Sequence, residues 1–192
     1  ISRLAADRGL DLVVTGVPKT IDNDIGAPEF KLLDHTPGYG SCARYWAYCT
    51  QTANEENAGA CTSDAVIVLQ AMGRKTGFIP AAARLGDPDR RMPLQIYMPE
   101  SGYTLRDMPD LVNGELRRSG RCIVVVSEGF DVGALGERHD SFGHIDYAGS
   151  DQSVMQAVIS HLNRQKLKAR GRAGGNLPGM DQRDTSIHAS VV

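Results

Sequence analysis

The sequence predicts an α/β fold in which helices cover both faces of a parallel sheet. Apolar runs typical of strands alternate along the chain with segments of helical periodicity. The strand-like runs are nearly continuous in Val and Ile, as in RCIVVVS at residues 121–127, which is typical of strands buried on both faces. Hydrophobic residues make up 41% of the chain and charged residues 23%, as in ordinary globular domains.

Four runs have the composition of strands. In chain order they are residues 10–16 (LDLVVTG), 65–72 (AVIVLQAM), 94–98 and 121–127. The third has a weaker strand signal, because it is bracketed by prolines, which cannot donate to a strand ladder. Two stretches lack periodicity, residues 129–149 and 170–179, and both are rich in glycine. We expect these two stretches to be loops.

Four segments have helical periodicity, and they alternate with the strands. They are residues 41–53, 77–85, 105–118 and 153–164. Ser41 is a candidate N-cap of the first helix, and Pro109 is tolerated only near the start of the third. Tyr45 and Trp46 fall on the apolar face of the first helix, and His161 on that of the fourth. We interpret these three as core or helix-face residues.

Composition and cysteine spacing narrow the function classes. The 21 basic and 23 acidic residues give a net charge of −2, which does not favour a nucleic-acid partner. No run approaches the roughly 20 apolar residues of a membrane span. The spacing of the four cysteines includes no CxxC pair, so a zinc site or a redox motif is not indicated. They are Cys42, Cys49, Cys61 and Cys122. We interpret them as free core thiols and expect a cytoplasmic protein.

Ionisable side chains follow each predicted strand. The first runs into PKTIDND at 18–24, the second into MGR at 72–74, the third into Pro99 and Glu100, and the fourth into SEG at 127–129. Ligands of parallel sheets bind beyond the carboxyl ends of the strands, so these side chains are candidates for one site. The alternative is that Asp and Asn are present because they favour turns. The presence of Lys19, a cation beside two carboxylates, favours a binding site over simple turn residues.

This set of side chains suits phosphoryl transfer. An ammonium such as Lys19 can neutralise a transferring phosphate, while an aspartate accepts the proton of an attacking hydroxyl. Arg74 adds a fork of donors that matches phosphate oxygens. Glu128 can accept hydrogen bonds from sugar hydroxyls. The spacing predicts this chemistry without specifying a substrate.

The strings themselves resemble one family. TGVPKTIDNDI at 15–25 resembles the catalytic motif of the phosphofructokinases, MGRKTG and SEG follow in that family's order, and PGMDQR at 178–183 resembles a further family segment. The resemblance covers essentially the whole chain. It implies a doubly wound, Rossmann-like phosphofructokinase fold, incomplete here, and phosphorylation of fructose 6-phosphate at C1 in glycolysis. Residues 1–192 would form its central, sugar-phosphate-binding portion.

The resemblance also implies roles for individual residues. Asp22 matches the general base that takes the proton from the C1 hydroxyl, and Asp24 matches the second acidic residue of the motif. Arg74 matches a residue near the transferred phosphate, and Glu128 matches the sugar-binding glutamate. Glu100 matches an effector-binding position of some allosteric relatives, although we expect a structural role for it here.

Further matches line the substrate. They are Thr20, Asp22, Met72, Gly73, Met180, Arg172 and Arg183. Arg183 matches a ligand of the 6-phosphate, and Arg172 is the candidate for a basic residue that some members present to a neighbouring subunit. Met180 stands where the family often has tyrosine, which removes a hydroxyl from that position. We expect a homo-oligomer.

Lys19 bears on the phosphoryl donor. Many bacterial ATP-dependent members have glycine at this position and pyrophosphate-dependent members have lysine, so we favour pyrophosphate. ATP stays open, because some ATP-dependent members share PKTIDND. A non-catalytic regulatory subunit is a third reading, which retention of Asp22, Asp24 and Arg74 disfavours.

The donor-binding glycine loop and the aspartate loop for Mg²⁺ have no counterpart in these residues. The chain starts at Ile1. We therefore expect both loops upstream, with the carboxyl-terminal end also missing, no metal ligands within residues 1–192 and no activity of this segment alone. His139, Asp140, His144 and Asp146 could be imagined as a metal cluster, but we interpret them as a solvated loop.

Overall fold

Four parallel strands form one sheet within the described residues, and three of them lie where the sequence predicts strands. The computed structural model describes residues 1–16, 20–25, 35–133 and 153–172. Within them the strands are β1 (Val66–Ala71), β2 (Leu94–Tyr97), β3 (Cys122–Ser127) and β4 (Ala169–Arg172), in the order β2-β3-β1-β4. β1 pairs in parallel with β3 and with β4, and β2 pairs in parallel with β3. The α/β fold class is confirmed.

The described residues include five helices. They are α1 (Ser2–Asp7), α2 (Tyr39–Ala60), α3 (Phe78–Ala82), α4 (Met108–Ser119) and α5 (Val154–Arg164). The last four correspond to the predicted helices, and 3₁₀ turns at Ala83–Gly86 and Pro99–Ser101 follow α3 and β2. Pro109 is the second residue of α4, where its missing N–H has no helical partner to lose.

The two faces of the sheet bury separate clusters of apolar side chains. On one face α2 and α3 pack Trp46, Ala53 and Ile79 against the odd-numbered residues of β1, including Leu69. On the other face α4 and α5 pack Val112, Val158 and Leu162 against the even-numbered residues of β1. Alternate strand residues point to opposite faces, so continuous apolar runs are needed to fill both cores.

The connections from β1 and β3 leave the sheet on opposite faces. The chain leaves β1 toward α3 on one face of the sheet, and it leaves neighbouring β3 toward α5 on the other face. The carboxyl edge of this strand pair is therefore the switch point of the sheet, the place at which open α/β sheets bind ligands. Residues 72–74 follow β1 and residues 127–129 include the end of β3, so both sequences lie at this edge.

The predicted strand at residues 10–16 is wrong. These residues form no helix or strand. Leu10, Leu12, Val13 and Val14 are exposed, with Val13 at 87%. A strand requires a neighbour for its backbone groups, and no described strand pairs with this segment.

Two further expectations are corrected. The first helix begins at Tyr39 rather than after Ser41, and its N-cap is Gly38, whose φ of 84° favours glycine. Ser41 lies inside the helix, so it caps nothing. The predicted loop at 170–179 starts within β4, because pairing with β1 extends to Arg172.

The prediction of core residues is confirmed for the aromatic pair and for three of the four cysteines, whereas Cys61 is only half-buried and belongs to neither core. All four cysteines are free, and Cys42, Cys49 and Cys122 are buried. Trp46 is 1% exposed and Tyr45 packs against the same core. His161 is half-buried on α5. Within the described ranges no helix is long and apolar enough to cross a bilayer.

Candidate active site

Asp22 lies in a short irregular segment, residues 20–25, that is anchored from both sides. Ile21 is buried in the core cluster under α2 and α3, so it fixes the position of its neighbour. The Asn23 N–H donates to Thr36 Oγ1 at 3.1 Å, and the Thr36 N–H donates to Asn23 Oδ1 at 2.9 Å. Asn23 has a φ of 62°, a left-handed conformation that asparagine tolerates better than most residues. These contacts hold the backbone around Asp22.

The carboxylate of Asp22 is buried and oriented. The residue is 6% exposed. Thr20 Oγ1 donates to Asp22 Oδ2 at 3.0 Å and accepts from the Asp22 N–H at 3.2 Å. One hydroxyl thus fixes both the backbone and the carboxylate of Asp22. None of the hydrogen bonds among the described residues uses Oδ1.

The turn after β1 brings Arg74 to this carboxylate. Gly73 has a φ of 132°, and a Cβ there would lie 2.6 Å from the Thr76 carbonyl oxygen, so only glycine fits. Arg74 itself has a φ of 44°, in the sparsely populated left-handed region. Its Nε lies 3.8 Å from Asp22 Oδ2, and its side chain stays 54% exposed. The guanidinium is therefore close to Asp22 and also accessible to a ligand.

Glu128 supports the same turn from the end of β3. Its Oε1 accepts hydrogen bonds from the N–H groups of Gly73, at 3.2 Å, and Arg74, at 3.1 Å. Burial raises the pKa of Glu128, and the negative charge of Asp22 adds to this, while the two N–H donors and the charge of Arg74 oppose it. A second oxygen of the same carboxylate is left for a ligand.

Gly129 allows this close approach. A Cβ at residue 129 would lie 1.4 Å from the Arg74 carbonyl oxygen. No side chain can occupy that space, so the segments after β1 and β3 touch through backbone. The structure therefore brings Thr20, Asp22, Gly73, Arg74 and Glu128 together, as the sequence predicts for one site.

Cys42 lies beneath the site as a neutral group. Burial raises the pKa of its thiol to about 12, with the negative charge of Asp22 as a second cause. The thiol stays protonated at neutral pH and is not a nucleophile.

Met72 and Asp24 make no contact of this kind with the other predicted site residues in the described part of the chain. Met72 is half-buried and packs against the core on the α2 side. Asp24 is exposed, and its carboxylate makes no hydrogen bond or ion pair with residues in the described ranges. Its predicted supporting role stays a prediction.

Arg172 pairs with an acidic side chain of α2. Its Nη1 lies 3.1 Å from Glu56 Oε2, and Arg170 Nη2 donates to Glu56 Oε1 at 2.7 Å. Arg172 is the last residue of β4 and lies opposite Leu69 in β1. Its backbone therefore lies beside the middle of β1, and its ion pair is with Glu56 rather than with Asp22 or Arg74.

Several predicted residues lie outside the described ranges. They are Lys19, Met180 and Arg183 of the site, and His139, Asp140, His144 and Asp146 of the loop. Their roles stay predictions. Glu100 is described, and its Oε1 accepts a 2.7 Å hydrogen bond from the Gly77 N–H. The 3₁₀ turn after β2 is thereby joined to the start of α3, as expected of a structural role.

The described carboxylates do not form a metal centre. Across residues 1–16, 20–25, 35–133 and 153–172, no group of three His, Cys, Asp or Glu side chains is placed to hold an ion. Asp22 is already engaged by Thr20 and Arg74.

The sequence did not indicate the residues that hold the site together. Thr36 and Thr76 are two of them: Thr76 Oγ1 donates to the Asp22 carbonyl oxygen at 3.1 Å. Their partners lie 13 and 54 positions away, so no local pattern could reveal these contacts. The presence of Thr76 inside the MGRKTG string is the one signal available.

The doubly wound sheet carries a carboxylate–guanidinium pair at its switch point, the position at which open α/β sheets bind ligands. The family model for Phosphofructokinase matches residues 1–181. The chain belongs to the phosphofructokinase family.

The chain is also similar to individual curated proteins and to solved structures. The chain is 38% identical over 170 residues to a pyrophosphate–fructose 6-phosphate 1-phosphotransferase of Xanthomonas campestris, covering 84% of this chain and 40% of the relative. It is 32% identical over 187 residues to a sulfofructose kinase of Alkalicoccus urumqiensis, covering 95% and 45%. The crystal structure of a pyrophosphate-dependent phosphofructokinase from Nitrosospira multiformis superposes with a TM-score of 0.72 at 30% identity, covering 98% and 45%. The chain thus spans less than half the length of these three relatives.

Proposed function

We propose that residues 1–192 supply the sugar-phosphate side of an enzyme that transfers a phosphoryl group to the C1 hydroxyl of fructose 6-phosphate, giving fructose 1,6-bisphosphate. The observation that carries the proposal is the buried Asp22 carboxylate, oriented by Thr20 and facing the exposed Arg74 guanidinium at 3.8 Å. A base and a phosphate-binding cation are thereby adjacent, as transfer to a hydroxyl requires.

Each group has a defined task in this reaction. Asp22 accepts the proton of the C1 hydroxyl as its oxygen attacks phosphorus, and the bond from phosphorus to the donor's leaving oxygen breaks. Arg74 neutralises charge on the transferred phosphoryl group. Glu128, whose Oε1 is committed to the turn, offers its other oxygen to sugar hydroxyls. Thr20 and Gly73 complete the wall on this side, and substrate contact by Met72 and support by Asp24 are further parts of the proposal.

The donor in this proposal is pyrophosphate, with ATP as the alternative. Lys19 supports pyrophosphate, because an ammonium near the outgoing group favours a short, highly charged donor. The Xanthomonas relative, named for pyrophosphate, supports it further. Mg²⁺ belongs to the proposal as the counter-ion that phosphoryl donors carry, with its ligands outside residues 1–192. Arg183 is assigned to the 6-phosphate of the acceptor. Met180 is assigned to the same part of the substrate site without a hydroxyl to donate, and Arg172 to a substrate site shared with a neighbouring subunit. A cytoplasmic homo-oligomer also remains part of the proposal.

The test uses the full-length polypeptide with fructose 6-phosphate, Mg²⁺ and either pyrophosphate or ATP. We expect fructose 1,6-bisphosphate with pyrophosphate, detected by phosphorus NMR. Turnover with ATP alone would contradict the donor assignment, and no product with either donor would contradict the function. Sulfofructose should be included as an acceptor, because the Alkalicoccus relative is named for it. Turnover of sulfofructose but not fructose 6-phosphate would replace the proposed acceptor.

The base assignment has its own variant. Asp22→Asn keeps the size of the side chain but cannot accept the proton, so kcat should fall by about 10²–10⁴-fold. Asp11→Asn is the matched control, because Asp11 is exposed and lies outside the site. Equal rates for wild type and Asp22→Asn would assign the base elsewhere and would favour a regulatory role for this chain.

A further inference from the structure

The proposed chemistry requires two segments that are far apart in sequence to keep a fixed position relative to each other. Asp22 lies in residues 20–25, while Arg74 lies in the turn after β1. Their direct contact is the 3.8 Å approach of Arg74 Nε to Asp22 Oδ2, which is longer than a hydrogen bond. The Arg74 side chain is also 54% exposed. Once Arg74 engages a phosphate, its attraction to Asp22 is shared with that ligand.

A second contact between the segments does not depend on Arg74. Thr76 Oγ1 donates to the Asp22 carbonyl oxygen at 3.1 Å. Of the hydrogen bonds formed within the described residues, it is the one that joins residues 20–25 to the turn after β1. The other hydrogen bonds of residues 20–25 are within the segment or are made with Thr36, just ahead of α2.

Thr76 is itself held firmly by the turn. Its N–H donates to the Gly73 carbonyl oxygen at 2.8 Å, and the N–H of the next residue, Gly77, donates to Glu100. The Thr76 hydroxyl also lies 3.2 Å from the Gly73 carbonyl oxygen, but that oxygen already accepts the Thr76 N–H. The Asp22 carbonyl oxygen has no other donor among the described residues. The one hydroxyl proton can serve either oxygen, and at Asp22 it satisfies a carbonyl that has no other donor among the described residues.

We propose that Thr76 is a positioning residue: its hydroxyl fixes the backbone of Asp22 against the turn after β1 and so keeps the Asp22 carboxylate in register with Arg74. Thr76 does not touch substrate in this scheme. It acts on the orientation of the base relative to the phosphate-binding cation. The inference rests on the proposed function for its kinetic consequence, whereas its structural consequence is independent of any activity.

Thr76→Val and Thr76→Ser in the full-length polypeptide test the hydroxyl. Valine keeps the branched shape and removes the donor, and serine restores the donor. Misplacing a catalytic group by about 1 Å can cost about 10²-fold in rate, so kcat of Thr76→Val should fall by about 10–100-fold. The KM for fructose 6-phosphate should change by less than about threefold, because the lost interaction serves the transition state. Thr76→Ser should recover most of kcat.

The control is Thr52→Val. Thr52 is exposed on α2, and its hydroxyl donates to the Tyr48 carbonyl oxygen at 3.0 Å, so the same chemical change is made away from the site. Its kcat should equal that of wild type. An unchanged kcat in Thr76→Val, or equal losses in the valine and serine variants, would overturn the proposal. If circular dichroism shows that Thr76→Val is unfolded, Thr76→Cys replaces it, with a weak thiol donor and an expected kcat below that of Thr76→Ser.

Hydrogen–deuterium exchange separates this inference from the proposed function. Loss of the Thr76 hydroxyl should speed exchange in peptides that contain residues 20–25, with wild-type protection in Thr76→Ser. Unchanged exchange would overturn the inference even in an inactive protein. A wild type with no phosphotransferase activity but with the expected exchange pattern would contradict the proposed function and leave the positioning role supported.

Discussion

At the scale of single residues, the site depends on backbone contact between two segments. A Cβ at residue 129 would lie 1.4 Å from the Arg74 carbonyl oxygen, an approach that no packed side chain makes. Gly129→Ala must therefore separate the segments after β1 and β3. We expect the free energy of unfolding to fall by at least about 3 kcal/mol, measured by urea denaturation.

Gly114→Ala is the matched control for that change. Gly114 is exposed inside α4, and a Cβ there meets nothing within 4 Å. Alanine should stabilise the protein by about 0.5–1 kcal/mol, because glycine loses more backbone entropy in a helix. Equal stability of Gly129→Ala and wild type would mean that the two segments are not in contact in solution.

Glu128 provides a pH-dependent prediction. Burial raises its pKa in the folded protein above that of the unfolded chain. The folded state therefore binds a proton more tightly, and this stabilising contribution is present at low pH and is lost as the pH rises through the raised pKa. Glu128→Gln removes the titration while its Oε1 can still accept from Gly73 and Arg74.

The measurement compares the two proteins between about pH 4, near the ordinary pKa of glutamate, and about pH 7. The free energy of unfolding of wild type minus that of Glu128→Gln should decrease as the pH rises over this range. A difference that increases with pH would mean that the hydrogen bonds from Gly73 and Arg74 outweigh burial and lower the pKa of Glu128.

The residues proposed to have chemical roles were easier to predict than the residues that hold them. Arg74 and Glu128 stand in short strings after β1 and β3, whose carboxyl ends meet at one edge of the sheet. Asp22 was indicated by the string PKTIDND itself, because the strand expected before it does not form. Thr36 and Thr76 act through backbone groups that are distant in sequence, at positions set by the packing of Ile21 and the conformation of Gly73. That information exists only after folding.

At the scale of secondary-structure elements, the predictions succeeded where burial is complete. β1 and β3 are buried along almost their whole length, so their Val and Ile runs identify them without knowledge of their neighbours. Residues 10–16 have a similar composition but no described neighbour to pair with, and they form no strand. β4 is the opposite case, because its sequence ARGR has little apolar content and it is a strand through pairing with β1.

The start of α5 gives a prediction at this scale. Ser153 accepts from the Gln156 N–H at 3.2 Å, and the Gln156 side chain accepts from the Ser153 N–H at 2.9 Å, forming a capping box. Ser153→Ala removes one half of this arrangement. The free energy of unfolding should fall by about 1 kcal/mol in urea denaturation.

Ser160→Ala serves as the comparison for Ser153. Ser160 is exposed within the same helix, where alanine has the higher helical propensity, so this variant should be neutral or slightly stabilising. If both serine variants lost the same stability, the capping box would not explain the effect at Ser153.

At the scale of the whole molecule, one sheet carries two cores. Odd-numbered residues of β1 contribute to the core under α2 and α3, while even-numbered residues contribute to the core under α4 and α5. β3 divides its side chains between the cores in the same way. Neither core can lose its strands without exposing the other, so the described part of the chain should unfold as one unit. The site lies at the edge of this shared sheet and depends on both cores.

Cavity-creating substitutions on opposite faces of the sheet test whether the two cores unfold together. Leu69 and Leu162 are both fully buried, Leu69 in the core under α2 and Leu162 in the core under α5. Leu69→Ala and Leu162→Ala should each lower the free energy of unfolding by about 2–5 kcal/mol. Leu85→Ala, at a side chain that is 65% exposed, should change it by less than about 0.5 kcal/mol.

The measurement that decides is whether the two spectroscopic probes give one urea transition with the same midpoint. Because β1 and β3 belong to both cores, each core variant should shift a single urea transition, followed by Trp46 fluorescence and by far-ultraviolet circular dichroism together. Trp46 lies in the core under α2, so it reports directly on one face. If Leu162→Ala lowered the circular dichroism transition while the Trp46 transition stayed in place, the two cores would unfold separately. The sheet edge that holds Asp22 and Arg74 would then depend mainly on the α2 face.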